Sequence, residues 1–154
     1  MNDLTDQEAR LLSDLRVRAQ ASGQFGTVAL AADRLTCTAR ESTAPAEYAV
    51  WRSADGWRIA LSTADRWLSE SIEGQLVESR ESLESLLLDE LKDLYWTEGE
   101  LKVRHFRDEA RVYVFEVTLA ATASPKDLDR LATVLRAFEQ TFAQLGDMSG
   151  TEGG

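Results

Sequence analysis

The sequence predicts an α+β domain: an antiparallel sheet built from hairpins with helices packed on it, in the order helix, strands, helix, strands, helix. Two observations lead there. The segments 47–62 and 101–119 alternate apolar and polar residues around short turn sequences, the two-residue period of a half-buried strand. Three other segments carry apolar residues three and four apart, the spacing of one helix face. Nothing follows the regular βα alternation of a doubly wound fold.

Thr5-Asp6-Gln7-Glu8 reads as a capping box, followed by Leu11, Leu12, Leu15 and Ala19 on one face and Gly23 as a stop. The first helix is thus placed at about 6–21. Val28 and Leu30, then Leu35 and Cys37, suggest two short strands within 24–40, and Pro45 marks a loop over 41–45. Glu47–Arg52 and Trp57–Ser62 form a hairpin turned at Asp55-Gly56. Ser62-Thr63-Ala64-Asp65 starts a short helix with Trp67, Leu68 and Ile72 on one face, ended by Gly74 and followed by a brief strand or kink over 75–78. Ser79 or Ser82 caps the next helix, whose stripe is Leu83, Leu86, Leu87, Leu91 and Leu94. A second hairpin pairs 101–106 with 111–119, and apolar residues on both faces of its second strand suggest a central position. Ser124-Pro125 opens the last helix, with serine as cap and proline in the first turn. Its stripe runs through Leu128, Leu131, Leu135, Phe138, Phe142 and Leu145 to a stop at Gly146. One domain over 1–146 with a flexible polar tail at 147–154 is expected.

Composition removes several functions. Seventeen basic and 27 acidic residues among 154 leave a net charge of −10, which repels nucleic-acid phosphate and anionic lipid alike. A single cysteine cannot close an internal disulfide, and one cysteine with one histidine makes a poor metal site, so neither metal nor cofactor is expected. No run of about 18 apolar residues offers a membrane span. The N-terminus is acidic and lacks the regions of a signal peptide, so a cytoplasmic location is expected. No GxGxxG, Walker A, GxSxG or HExxH pattern occurs.

Few residues carry chemistry. His105, the one histidine, would need a nucleophile or water and an orienting carboxylate, for which Glu116 and Asp108 are the nearest choices in the hairpin. A small enzyme using His105 with such carboxylates is one reading; a strand histidine on a half-buried face is the plainer one. Cys37 lies in an apolar alternating segment and reads as a buried, inert thiol. The acids Glu78, Glu81, Glu84, Asp89, Glu90 and Asp93 lie opposite the leucine stripe and read as a solvated helix face.

Binding candidates are clearer. Lys102, Arg104, Arg107 and Arg111 gather positive charge in one hairpin of an acidic chain. Lys102, Arg104 and Phe106 project to one side of their strand, either as a patch for a partner or as cross-strand partners of local acids. If Tyr48, Val50 and Trp57 face the core, Trp51 points the other way, and Trp51 with Arg52 becomes a contact candidate; burial of Trp51 under another helix or subunit is the alternative. Leu131, Leu135, Phe138 and Phe142 form a stripe narrow enough for a homodimer seam, although Ala132 and Val134 widen it in favour of packing on the sheet.

The layout resembles the class I type III secretion chaperones and the related bacterial sensory transduction regulators, small acidic cytoplasmic α+β proteins. The resemblance spans roughly 5–146 and rests on the opening helix from Thr5, the Tyr48–Leu61 hairpin, the Leu83–Leu94 helix, the Leu101–Leu119 strands and the helix from Pro125. It implies binding rather than catalysis, often as a dimer, with apolar grooves for an extended partner segment. The first expectation is therefore a non-enzymatic protein-binding module, chaperone-like or regulatory. A His105 enzyme and a small-ligand sensor or dimeric structural subunit are the alternatives.

Overall fold

A computed structural model describes residues 4–31, 33–122 and 124–149. The elements are α1 (Asp6–Ser22), β1 (Phe25–Ala31), β2 (Arg34–Ala39), β3 (Glu47–Ser53), β4 (Gly56–Thr63), α2 (Arg66–Ser79), α3 (Leu83–Asp93), β5 (Arg104–Arg107), β6 (Tyr113–Leu119), α4 (Lys126–Phe142) and a short 3-10 helix (Gly146–Ser149). The strands form one antiparallel sheet in the order β1-β2-β3-β4-β6-β5. This is the predicted α+β class, and β6 sits inside the sheet as its two-sided apolar pattern implies.

Local chemistry places most helix ends. The Glu8 amide donates to the Thr5 hydroxyl at 3.1 Å and the Thr5 amide donates to the Glu8 carboxylate at 3.0 Å, closing the capping box. Gly23 ends α1 at φ +70°. Asp65 caps α2 through the Leu68 amide at 2.8 Å, and Ser82 caps α3 through the Ser85 amide at 3.1 Å. Ser124 accepts from the Lys126 amide at 3.2 Å, with Pro125 at φ −55° leading into α4.

Three expectations are corrected. The helix expected to stop at Gly74 continues through it to Ser79 and ends at Arg80, φ +60°. A mid-helix glycine costs only about 1 kcal/mol, and anchoring by Leu68 and Ile72, both at most 1% exposed, outweighs that. Residues 75–78 are accordingly helix, and Trp67, about a quarter-turn from Leu68, is 73% exposed rather than on the buried face. The second hairpin is shorter than expected. The Val112 amide donates to the Asp108 carboxylate at 2.9 Å and Arg111 takes φ +63°, so the turn extends to residue 112. The Val103 amide is drawn to the Glu84 carboxylate at 3.0 Å, so 101–103 leave the ladder for α3. The expected tail begins in ordered structure: Met148 is 2% exposed, the Asp147 amide donates to the Ser71 hydroxyl at 2.9 Å, and the Asp147 carbonyl accepts from the Thr43 amide at 3.0 Å. The remainder, 150–154, lies outside the described residues.

The core lies on one side of the sheet. Leu35 and Cys37, Tyr48 and Val50, Trp57, Ile59 and Leu61, and Phe115, Val117 and Leu119 share one face and pack against Leu12, Leu15, Leu68, Ile72, Leu87, Leu91 and the α4 stripe. Each fully buried leucine or phenylalanine there contributes about 1.5–3 kcal/mol. All four helices give residues to this core. Leu131, Leu135, Phe138 and Phe142, proposed as a dimer seam, are 0–2% exposed within the single chain, so they have no surface to offer a second copy. The widening seen at Val134, 0% exposed, is why the stripe packs inward.

Candidate functional site: the open face of the sheet

Among the described residues all four helices pack on the core side, and the composition of the opposite face follows from strand register. Three rows cross it. The first is Ala31, Arg34, Trp51, Arg58, Thr118; the second is Ala29, Thr36, Ala49, Ala60, Glu116, Arg104; the third is Thr38, Glu47, Ser62, Val114, Phe106. The middle row is floored by small side chains between bulkier rows. Ala49 and Ala60 are 1% and 2% exposed.

One ion network holds this face. Glu116 is buried, and the Arg58 guanidinium contacts it diagonally from the neighbouring strand. Arg58 also reaches Asp55 at 3.1 Å and the Ser53 hydroxyl at 3.1 Å, and Arg104 stands 3.4 Å from Glu116 on the far side. Two aromatic rings lie under arginines: the Arg34 guanidinium sits 4.4 Å from the Trp51 ring centre, and that of Arg104 sits 4.9 Å from Phe106. The surface is thus aromatic and cationic, with its central carboxylate already neutralised.

The structure joins Trp51, Arg104 and Phe106 on this one face, and separates the other two candidates from it. Arg52 belongs to the core-side parity, where it pairs with Glu8 of α1 at 2.8 Å and donates to the Gly56 carbonyl at 3.1 Å. Lys102 is exposed in the run ahead of β5. Arg107 lies on the other side of β5 from Arg104, over the Tyr113 ring at 5.6 Å. Arg58 and Arg34 went unrecognised in the sequence. The available signal was Glu116, a carboxylate in the apolar strand Tyr113–Leu119, which requires a buried cation from a neighbouring strand.

His105 is placed differently from the enzyme reading. It projects to the core side, opposite Glu116, and its ring stacks on Phe115 at 3.9 Å. Nδ1 lies 3.0 Å from the Val114 carbonyl and Nε2 lies 3.0 Å from the Glu73 carboxylate of α2. Its carboxylate partner is therefore Glu73, rather than Glu116 or Asp108. Cys37 is fully buried, and burial together with the Glu47 charge pushes its thiol up to about 12, so the reactive thiolate is suppressed at neutral pH.

Among the described residues no group of three or more His, Cys, Asp or Glu side chains is arranged to hold a metal ion, and no helix is long and apolar enough to cross a membrane. Comparison with protein-family models, with curated proteins and with solved structures finds no match to this chain.

Proposed function

We propose that this chain is a non-enzymatic, cytoplasmic protein-binding module, chaperone-like or regulatory, that holds an extended or apolar segment of another protein on the open face of its sheet. The observation that carries the reading is the co-location of Trp51, Phe106, Arg34 and Arg104 on the one sheet face outside the core. Tryptophan and arginine are enriched among the residues that carry most of the energy of protein contacts, and aromatic rings bury large area there. The β5 edge beside Phe106 offers main-chain pairing to the same segment. The similarity of layout to secretion chaperones supports the same reading. The open face belongs to one copy, so this function does not require the α4 stripe as a dimer seam.

The test is site-specific photo-crosslinking in cells. A photoreactive phenylalanine analogue at position 51 or 106 should yield the same discrete adduct, while the same analogue at the 55%-exposed Val17 of α1 should not. Equal adducts from all three positions, or none from 51 and 106, would overturn the proposal.

A further inference from the structure

A second site lies on the other side of the molecule and is independent of the open face. A cleft of about 260 Å³ opens between the α1–β1 turn, the end of β2 and the C-terminal half of α4, with Tyr48 in its wall. Tyr48 is 1% exposed, and its ring packs edge-on against Phe25 at 5.5 Å. Its hydroxyl makes no hydrogen bond to any described residue, although it is the one polar group of a side chain otherwise wholly in the core. That hydroxyl is not sealed in the core but meets solvent in the cleft, where a ligand atom can take the place of water.

The rest of the cleft indicates what that ligand is. Glu139 reaches in from α4; Gln24 donates to its Oε1 at 2.8 Å, which leaves Oε2 for another donor. Glu41 adds a second carboxylate. Arg40, the only cation among the described lining residues, donates to the Gly23 carbonyl at 2.5 Å. Burial and the nearby charges of Glu41 and Glu90 raise the Glu139 carboxyl above its ordinary range, despite opposing help from Gln24 and Arg40. The site therefore has a surplus of negative charge. Ala143 and Met148 supply an apolar wall.

We infer that this cleft binds a small primary ammonium ion carried on a short apolar stem. The ammonium donates to Glu139 Oε2 and to the Tyr48 hydroxyl oxygen, and the stem lies against Ala143 and Met148. An anion would face two carboxylates, and a neutral alcohol would leave Glu139 uncompensated.

The probe is butylammonium, with butanol and butyrate as matched neutral and anionic controls, followed by amide chemical shifts of the whole chain. Saturable shifts at residues 23–24, 39–41 and 139–148 are expected, with a Kd of about 1 mM. Butanol and butyrate should bind at least about tenfold more weakly. Tyr48→Phe keeps the ring and should weaken butylammonium about tenfold. Glu139→Gln should erase the preference for butylammonium over butanol. The inference is overturned if butylammonium gives no saturable shifts by about 10 mM, well past the expected Kd. It is also overturned if butyrate binds as well, or if Tyr48→Phe leaves affinity unchanged. Should Glu139→Gln fail to fold, the Tyr48 variant and the two controls still decide.

Discussion

Arg58 and Glu116 meet diagonally across β4 and β6 on the sheet face that no described helix covers, yet their side chains are only 17% and 5% exposed. An ion pair with so little water can neither be screened nor left half-made. Deleting Arg58 strands a buried carboxylate with only Arg104 nearby, at 3.4 Å. Arg58→Ala is expected to cost about 3 kcal/mol. Arg104→Ala, at a side chain 60% exposed, is expected to cost less than about 0.5 kcal/mol. Urea denaturation of both variants checks this; equal losses would mean that Arg104 is the true counter-charge.

Two glycines are expected to respond in opposite directions. Gly56 has φ +143°, and a Cβ there would lie 2.2 Å from the Leu119 carbonyl oxygen on the neighbouring strand. Gly56→Ala should therefore destabilise by at least about 2 kcal/mol. Gly74 is inside α2 with nothing within 4 Å of its would-be Cβ. Gly74→Ala should stabilise by about 0.5–1 kcal/mol through helix propensity. A loss of stability at Gly74→Ala would contradict a helix that runs through this position.

Acid should separate Asp127 from Glu139. Burial alone would raise the Asp127 carboxyl, but hydrogen bonds from the Thr122 hydroxyl and amide and from Arg130 outweigh it and hold it below its ordinary value. Its stabilising contribution is thus complete above the ordinary aspartate range and is lost as pH falls through the lower folded value. Glu139 has the opposite sign: its folded value is raised, so its contribution is present at low pH and lost as pH rises through that value. The deficit of Asp127→Asn relative to the parent should shrink on acidification. Glu139→Gln should gain on the parent as pH rises from the ordinary glutamate range toward neutrality. Denaturation midpoints from pH 3 upward, about where ordinary carboxylates titrate, measure both; gaps that do not change with pH would refute the assigned signs.

Phe138 discriminates core from seam. It is 0% exposed and packs on Phe142 with ring centres 5.1 Å apart. Phe138→Ala should cost about 3–5 kcal/mol, with a denaturation midpoint that does not vary with protein concentration in parent or variant. A midpoint that climbs with concentration would restore α4 as a contact between copies.

Much of the fold was legible because its signals are local. The Thr5–Glu8 box, the Ser82 cap and the alternation in Glu47–Ser53 each act within a few residues, and each element formed where its signal lies. The failures were local signals overruled at a distance. Gly74 reads as a stop until Leu68 and Ile72 are seen anchoring the helix that passes through it. Leu101 and Val103 read as strand until Glu84, far back in the chain, takes the Val103 amide.

The candidate site divides in the same way. Alternation alone determined that Arg104 and Phe106 share one face, because successive side chains on a strand must alternate; by the same rule Arg52, grouped with Trp51 as a contact candidate, belongs to the opposite face, as its pairing with Glu8 of α1 shows. Which face the helices cover was decided only by tertiary structure, since burial belongs to the assembled layers and not to any strand. The strand order decided the rest. Placing β6 between β4 and β5 brings Glu116 within reach of both Arg58 and Arg104, and folding α4 back over the α1–β1 turn sets Glu139 beside Gln24 and the buried Tyr48. Those partners are 12 to 115 residues apart in the chain, and no periodicity in a single segment can encode a contact that closes only when distant segments pack.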